Sequence, residues 1–118
     1  MRPRKPAEPL VPIFAIKVQR NVPDGDIAPP DVRAFFKEEI TIGRGSRHIA
    51  VDLRLEGDLE VSRQHATLAK HGDEYTVTCK GANPIVIDDG KEISVGESAS
   101  VKPGEKIAIS SYELTIQI

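Results

Sequence analysis

Three short segments of this chain concentrate hydrogen-bond donors. Gly43-Arg44 follows the run Ile40-Thr41-Ile42. Ser62-Arg63-Gln64-His65-Ala66 comes next along the chain, and Asn83 arrives at a turn after Lys80-Gly81-Ala82. Each falls at the predicted end of a strand or in a loop, where binding groups collect. The residue types suit an anion. Arginine carries a planar fork of donors and stays charged. The asparagine amide both donates and accepts, so it can read a peptide backbone. Ser62 and His65 with Asp52 raise a catalytic alternative, a nucleophile with its base and orienter. An offset of three along an extended strand would place those side chains on opposite faces, and no glycine-flanked elbow surrounds Ser62. His48, His65 and His71 lack metal-ligand spacing with a nearby acid pair, and no phosphate-loop lysine signature appears. The expectation is a binding module with no catalytic residue, no metal and no cofactor.

Composition narrows the classes further. The chain has 118 residues, 39% hydrophobic and 29% charged, with a formal net charge of −2. That length fits one domain. The charge is too near zero to mark a nucleic-acid binder. Aromatic residues are limited to Phe14, Phe35, Phe36, Tyr75 and Tyr112, so no base-stacking platform is evident and the core must come from Val, Ile, Leu and Ala. No apolar run is long enough to span a membrane, and no apolar stretch follows Arg2, Arg4 and Lys5 as an export signal would require. The one cysteine, Cys79, excludes an internal disulfide and a cysteine-rich zinc site; it alternates inward with Tyr75 and Val77 and reads as core. A reducing, cytoplasmic setting is expected. Residues 1–37 carry a balance of +3 and residues 38–118 one of −5. An anion site on the second part must therefore be a local concentration of donors.

The elements that would position those donors are strands. Seven of the nine prolines lie in the first thirty residues and eight of the nine glycines after residue 42. The first segment suits extended or loop backbone; the later glycines suit tight turns. Period-2 alternation marks Phe14/Ile16/Val18, Tyr75/Val77/Cys79, Ile107/Ile109 and Tyr112/Leu114/Ile116/Ile118. Turn signals separate the runs, among them Asp89-Gly90 between Pro84–Ile87 and Lys91–Val95, a hairpin signal. Many short strands with close turns predict a β-sandwich. Residues 1–9 read as a flexible tail, and residues 10–118 as a single domain with an insertion over about residues 20–37. One brief helical turn is predicted inside that insertion, over Pro30-Asp31-Val32-Arg33-Ala34-Phe35-Phe36, with Asp31 as its cap.

The order Gly43-Arg44, then Ser62-Arg63-Gln64-His65, then an Asn83-bearing turn resembles the forkhead-associated (FHA) domain, over about Glu38 to Ile118 and the first strand near Ile13–Gln19. The resemblance implies an all-β sandwich of about eleven mostly antiparallel strands that reads phosphothreonine through loops at one end. By position it makes Arg44 the primary phosphate donor and Ser62 a hydroxyl donor. Arg63 lies beside the phosphopeptide, and Asn83 bonds its backbone. Gly43, permitting the turn, and His65, bracing the loops, support the site. Ala82 stands where a threonine or serine often lines the pocket, which removes one hydroxyl. Pro84 stands where glycine is common. Arg47 and His48 either widen the basic rim or belong to a solvated loop, and Arg54 reads as a surface pair with Asp52 and Glu56.

The implied function is a phosphothreonine-dependent signalling module, monomeric, that recruits partners modified by a Ser/Thr kinase. The alternative is a phospho-independent scaffold with a weakened pocket. Residues 1–40 contain no Ser, Thr or Tyr, and threonines 41, 67, 76, 78 and 115 fall in predicted strands. The phosphothreonine is therefore expected in trans, or from a longer parent chain, rather than from this segment.

Overall fold

The computed structural model describes residues 12–20, 30–88 and 90–117. Eleven strands run in chain order: β1 (Phe14–Arg20), β2 (Asp31–Phe35), β3 (Glu39–Gly43), β4 (Leu53–Arg54), β5 (Ala66–His71), β6 (Glu74–Cys79), β7 (Ile85–Ile87), β8 (Lys91–Ile93), β9 (Ser98–Val101), β10 (Lys106–Ile109) and β11 (Tyr112–Gln117). They form a six-stranded sheet in the order β2-β1-β11-β10-β7-β8 and a five-stranded sheet in the order β4-β3-β5-β6-β9. The pairings are antiparallel except β3 with β4.

Alternation explains both faces. Ile16, Ile107, Ile109, Leu114 and Ile116 from the larger sheet are buried, as are Ile40, Ile42, Leu68, Val77 and Cys79 from the smaller one. Successive residues of a strand point to opposite faces, so each run lays one apolar row into the space between the sheets. The buried set is almost entirely aliphatic, with Tyr112 its one aromatic member among the described residues. The Asp89-Gly90 hairpin forms as expected: Ile87 pairs with Lys91, and Gly90, at φ 84°, donates its N–H to the Ile87 carbonyl. Asp89 itself lies outside the described residues, as does the expected tail over residues 1–9.

The short helix does not form. Residues 31–35 are strand β2, which pairs antiparallel with β1 from Phe14↔Phe35 to Val18↔Asp31. The last part of the expected insertion is thus a strand of the larger sheet. Two physical reasons favour this outcome. A helix of seven residues barely recovers the cost of its nucleus, whereas the open edge of β1 offers a full ladder. Val32, Phe35 and Phe36 also fit a pleated surface better than a helix.

Registers place the ends of three strands together. Ile42 pairs with Ala66, and Ala66 with Cys79. The loops after β3, before β5 and after β6 therefore share one end of the sandwich. The β4–β5 connection there is tied to the larger sheet. Asp58 Oδ2 accepts from the Ser111 N–H at 3.1 Å and from its hydroxyl at 2.6 Å, and Asp58 Oδ1 accepts from the Glu60 N–H at 2.9 Å. Burial raises the Asp58 pKa, but these bonds and one from Ser110 outweigh it and hold the carboxyl well below the usual carboxylate range. The Tyr112 hydroxyl donates to the Glu56 carbonyl. Arg20 donates to the Gly57 carbonyl at 2.7 Å and lies over the Tyr112 ring. A long loop is thereby fixed at its base before it reaches Ser62.

Candidate functional site

The site is built on the backbone from Glu60 to Arg63. The Arg44 N–H donates to the Ser62 carbonyl at 2.9 Å, and the Gly45 N–H to the Arg63 carbonyl at 3.0 Å. These two bonds extend β3 past its end against the turn that precedes β5. Gly43 makes the approach feasible. A Cβ at residue 43 would lie 2.3 Å from the Arg63 carbonyl oxygen and 2.9 Å from that of Ser62. Gly43 shows no left-handed φ, so its requirement is space against main chain, not the turn conformation expected from the sequence.

Arg44 is half-buried and follows the last residue of β3. Its Nε donates to the Val61 carbonyl at 3.2 Å. Its terminal nitrogens have no carboxylate within 4.0 Å and no hydrogen-bond acceptor among the described residues. The arginine is thus oriented by one of its donors and keeps the others. Arg54 supports the same segment: its Nε donates to the Arg44 carbonyl at 3.3 Å and lies 3.4 Å from Glu56. Asp52, the other expected partner of Arg54, binds elsewhere. It accepts from Lys37 at 2.7 Å and from the Thr41 N–H at 2.9 Å, and the Lys37 and Thr41 bonds hold its carboxyl below the usual range.

His65 joins the second and third segments. The ring is fully buried. Its Nδ1 accepts from the Ser62 N–H at 2.9 Å, and its Nε2 lies 2.8 Å from the Asn83 carbonyl. A backbone N–H can only donate, so Nδ1 is the bare nitrogen and the neutral Nε2–H tautomer donates to Asn83. The His65 carbonyl also accepts from the Lys80 N–H at 2.8 Å and the Gly81 N–H at 3.1 Å. Burial lowers the His65 pKa more than the Asn83 bond and the Asp58 charge raise it. Residues 62–65 bend rather than run as an extended strand. The ring meets the Ser62 amide rather than its hydroxyl, and Asp52 is engaged by Thr41 and Lys37. No nucleophile–base–orienter geometry is assembled by these three residues.

The remaining positions follow. Ser62 Oγ accepts from the Ala82 N–H at 3.1 Å, which leaves its own proton without an acceptor among the described residues. Ala82 contributes only this N–H, and its side chain supplies no hydroxyl. The Asn83 Nδ2 donates to the Glu60 carbonyl at 2.8 Å and to the Glu60 carboxylate at 3.1 Å. Two acceptors fix the amide's orientation and turn its oxygen away from them. Arg63 is exposed, with its main chain against Gly43 and Gly45. Arg47 and His48 are exposed in the loop that Ser46 closes by accepting from the His48 and Ile49 N–H groups. Among the described residues no hydrogen bond or ion pair joins their side chains to Ser62 or Asn83. The open end therefore offers guanidinium donors and a hydroxyl proton to an anion, and beside them an amide oxygen to a backbone N–H.

Two contributors were not marked as site residues in the sequence. Glu60 meets Asn83 across the gap between two loops, and nothing in either segment signals it. Gly81 lies in the Lys80-Gly81-Ala82 approach, which the sequence marks only as leading to a turn. A Cβ there would lie 2.7 Å from His65 Cγ and 2.8 Å from both His65 Nδ1 and Ser62 Oγ. Gly81→Ala should therefore displace the ring and cost about 1–3 kcal/mol; a denaturant-unfolding midpoint equal to that of the unchanged chain would contradict this. The buried ring also sets a pH dependence. Its folded-state pKa lies below its unfolded value of 6.5, so the unfolded chain takes up the proton first as pH falls. The stability contribution is complete above pH 6.5 and is lost as pH drops toward the depressed folded value. Thermal unfolding midpoints should be flat above that point and decline below it; a midpoint that stays level down to pH 5 would contradict the assignment.

A family model described as the FHA domain matches residues 40–110. No curated protein matches the sequence significantly. Among solved structures, an engineered FHA with a Myc-pTBD peptide superposes with a TM-score of 0.68 at 17% identity, covering 89% of this chain and 91% of that one. The N-terminal FHA domain of S. cerevisiae Rad53p, in complex with a phosphothreonine peptide, gives 0.65 at 17% identity, covering 88% and 93%. The FHA domain of the CT664 protein from Chlamydia trachomatis gives 0.63 at 14%, covering 89% and 97%. At these identities the structural likeness speaks for the fold, and the family model spans more than half of the sequence. The chain belongs to the FHA domain family.

Proposed function

We propose that this domain is a phosphothreonine-dependent interaction module. It captures a threonine-phosphorylated segment of another protein at the loop end of the sandwich and has no catalytic role of its own. The observation that carries this reading is the Arg44 guanidinium: oriented by the Val61 carbonyl, it has no carboxylate to neutralise it among the described residues. A phosphate monoester carries about −1.5 to −2 charge at neutral pH, with strong acceptor oxygens. Arg44 and the free Ser62 proton complement those oxygens, and the Asn83 amide oxygen complements a backbone N–H of the bound segment. Arg63 adds positive charge at the rim.

The likeness to the Rad53p domain, whose structure holds a phosphothreonine peptide, supports the same choice of ligand. Each charge-assisted bond contributes about 1.5–3 kcal/mol. Two or three of them with backbone contacts give a complex near the micromolar range, about −8 kcal/mol. A Ser/Thr kinase acting on the partner would switch the contact on.

The phospho-independent scaffold remains the competing reading, because Ala82 provides no hydroxyl and the Asn83 NH2 group is already engaged by Glu60. Arg44→Ala separates the two. Removing one charge-assisted pair should weaken binding of a phosphothreonine peptide by about tenfold to a hundredfold while the unfolding transition persists. Affinity that is the same for phosphorylated and unphosphorylated peptides, and untouched by Arg44→Ala, would favour the scaffold.

A further inference from the structure

Glu60 places a negative charge in a site built to hold an anion. Its position is fixed at both ends: its N–H donates to Asp58 at 2.9 Å, and its carbonyl accepts from the Asn83 amide at 2.8 Å. The side chain turns the same way, with Oε2 at 3.1 Å from Asn83 Nδ2. Among the described residues no Lys, Arg or His nitrogen lies within 4.0 Å of this carboxylate. Its neighbour in the chain, Val61, holds Arg44 through its carbonyl. A phosphorylated segment gripped by Arg44 and read by Asn83 therefore lies beside an uncompensated carboxylate. Leu59, the residue before it, is 85% exposed at the tip of a loop whose base is anchored by Asp58, Tyr112 and Arg20.

We propose that Glu60 is a specificity-determining residue, its carboxylate taking a Lys or Arg side chain that flanks the phosphothreonine in the partner. This rests on the phosphothreonine reading above. A basic side chain fits both features of the loop tip, because its aliphatic stem covers apolar surface while its head remains free to meet a carboxylate. An acidic flank meets like charge instead, and like charges brought together across an interface are selected against. The kinase that prepares the partner then belongs to the class that modifies threonines in basic rather than acidic surroundings.

A set of phosphothreonine peptides tests this. One flanking position at a time is made Lys, Ala or Asp, and affinity is read by fluorescence polarisation for the unchanged domain, Glu60→Gln and Glu60→Lys. At one flanking position the unchanged domain should prefer Lys over Asp by about fivefold, the upper range for a solvent-accessible pair. That preference should vanish in Glu60→Gln, reverse in Glu60→Lys, and shrink with added salt. Flank-indifferent binding by the unchanged domain overturns the inference and leaves the phosphothreonine reading standing. So does an equal loss for all peptides in Glu60→Gln, which would make Glu60 only a support for Asn83. The comparison within the unchanged domain can overturn the inference even where one variant fails to fold, and either folded variant assigns the preference to Glu60. Failure of every phosphothreonine peptide to bind, whatever its flanks, overturns the phosphothreonine reading itself and this inference with it.

Discussion

A single buried imidazole sets the spacing of the two loops that make the site. His65 takes the Ser62 N–H on one ring nitrogen and gives its own N–H to the Asn83 carbonyl from the other, while its backbone carbonyl receives Lys80 and Gly81. Inside a protein such bonds are strengthened by the low local dielectric, and breaking one leaves a buried group unsatisfied. The ring must be neutral to serve both sides, so its protonation state and the geometry of the site are one constraint. Binding then need not order the loops, because folding has already done so.

Around that ring the work is divided between main chain and side chains. Backbone carbonyls at Glu60, Val61, Ser62 and Arg63 hold Asn83, Arg44 and Gly45 in place. Gly43 and Gly81 provide the clearance that lets these backbones and the ring come so close. What remains without a partner among the described residues is the rest of a guanidinium, a hydroxyl proton and an amide oxygen. The β4–β5 loop that carries this backbone is itself tied to the larger sheet through Asp58, Tyr112 and Arg20. Tyr112, a member of the core, thus holds the loop that also carries Val61, the partner of Arg44.

Much of this is legible in the amino-acid sequence. Alternation at Tyr75/Val77/Cys79 and at Tyr112/Leu114/Ile116 reports the burial of one strand face directly, because period 2 is a local property of extended backbone. The hairpin at Gly90 is local in the same sense. Strand β2 is not legible in the sequence because its structure comes from pairing with β1, across a connection whose residues give no signal of that partner. At the site, Arg44, Ser62, His65 and Asn83 stand out by type and order. The role of Gly43 does not, since turn and close approach look alike in one letter. Gly81 is needed because of a ring sixteen residues earlier in the chain, and Glu60 meets Asn83 only once two loops have been folded together. Contacts between loops carry no periodicity, so side-chain placement there had to await the three-dimensional arrangement.

The most direct test of the central claim is a two-dimensional 1H–15N NMR titration of the labelled domain with a phosphothreonine peptide and its unphosphorylated twin. The phosphorylated peptide should shift the Arg44 Nε–H, the Ser62 and Ala82 amides and the Asn83 side-chain amide, while the twin leaves them in place. Equal shifts with both peptides, or shifts confined to a sheet face away from these loops, would contradict it.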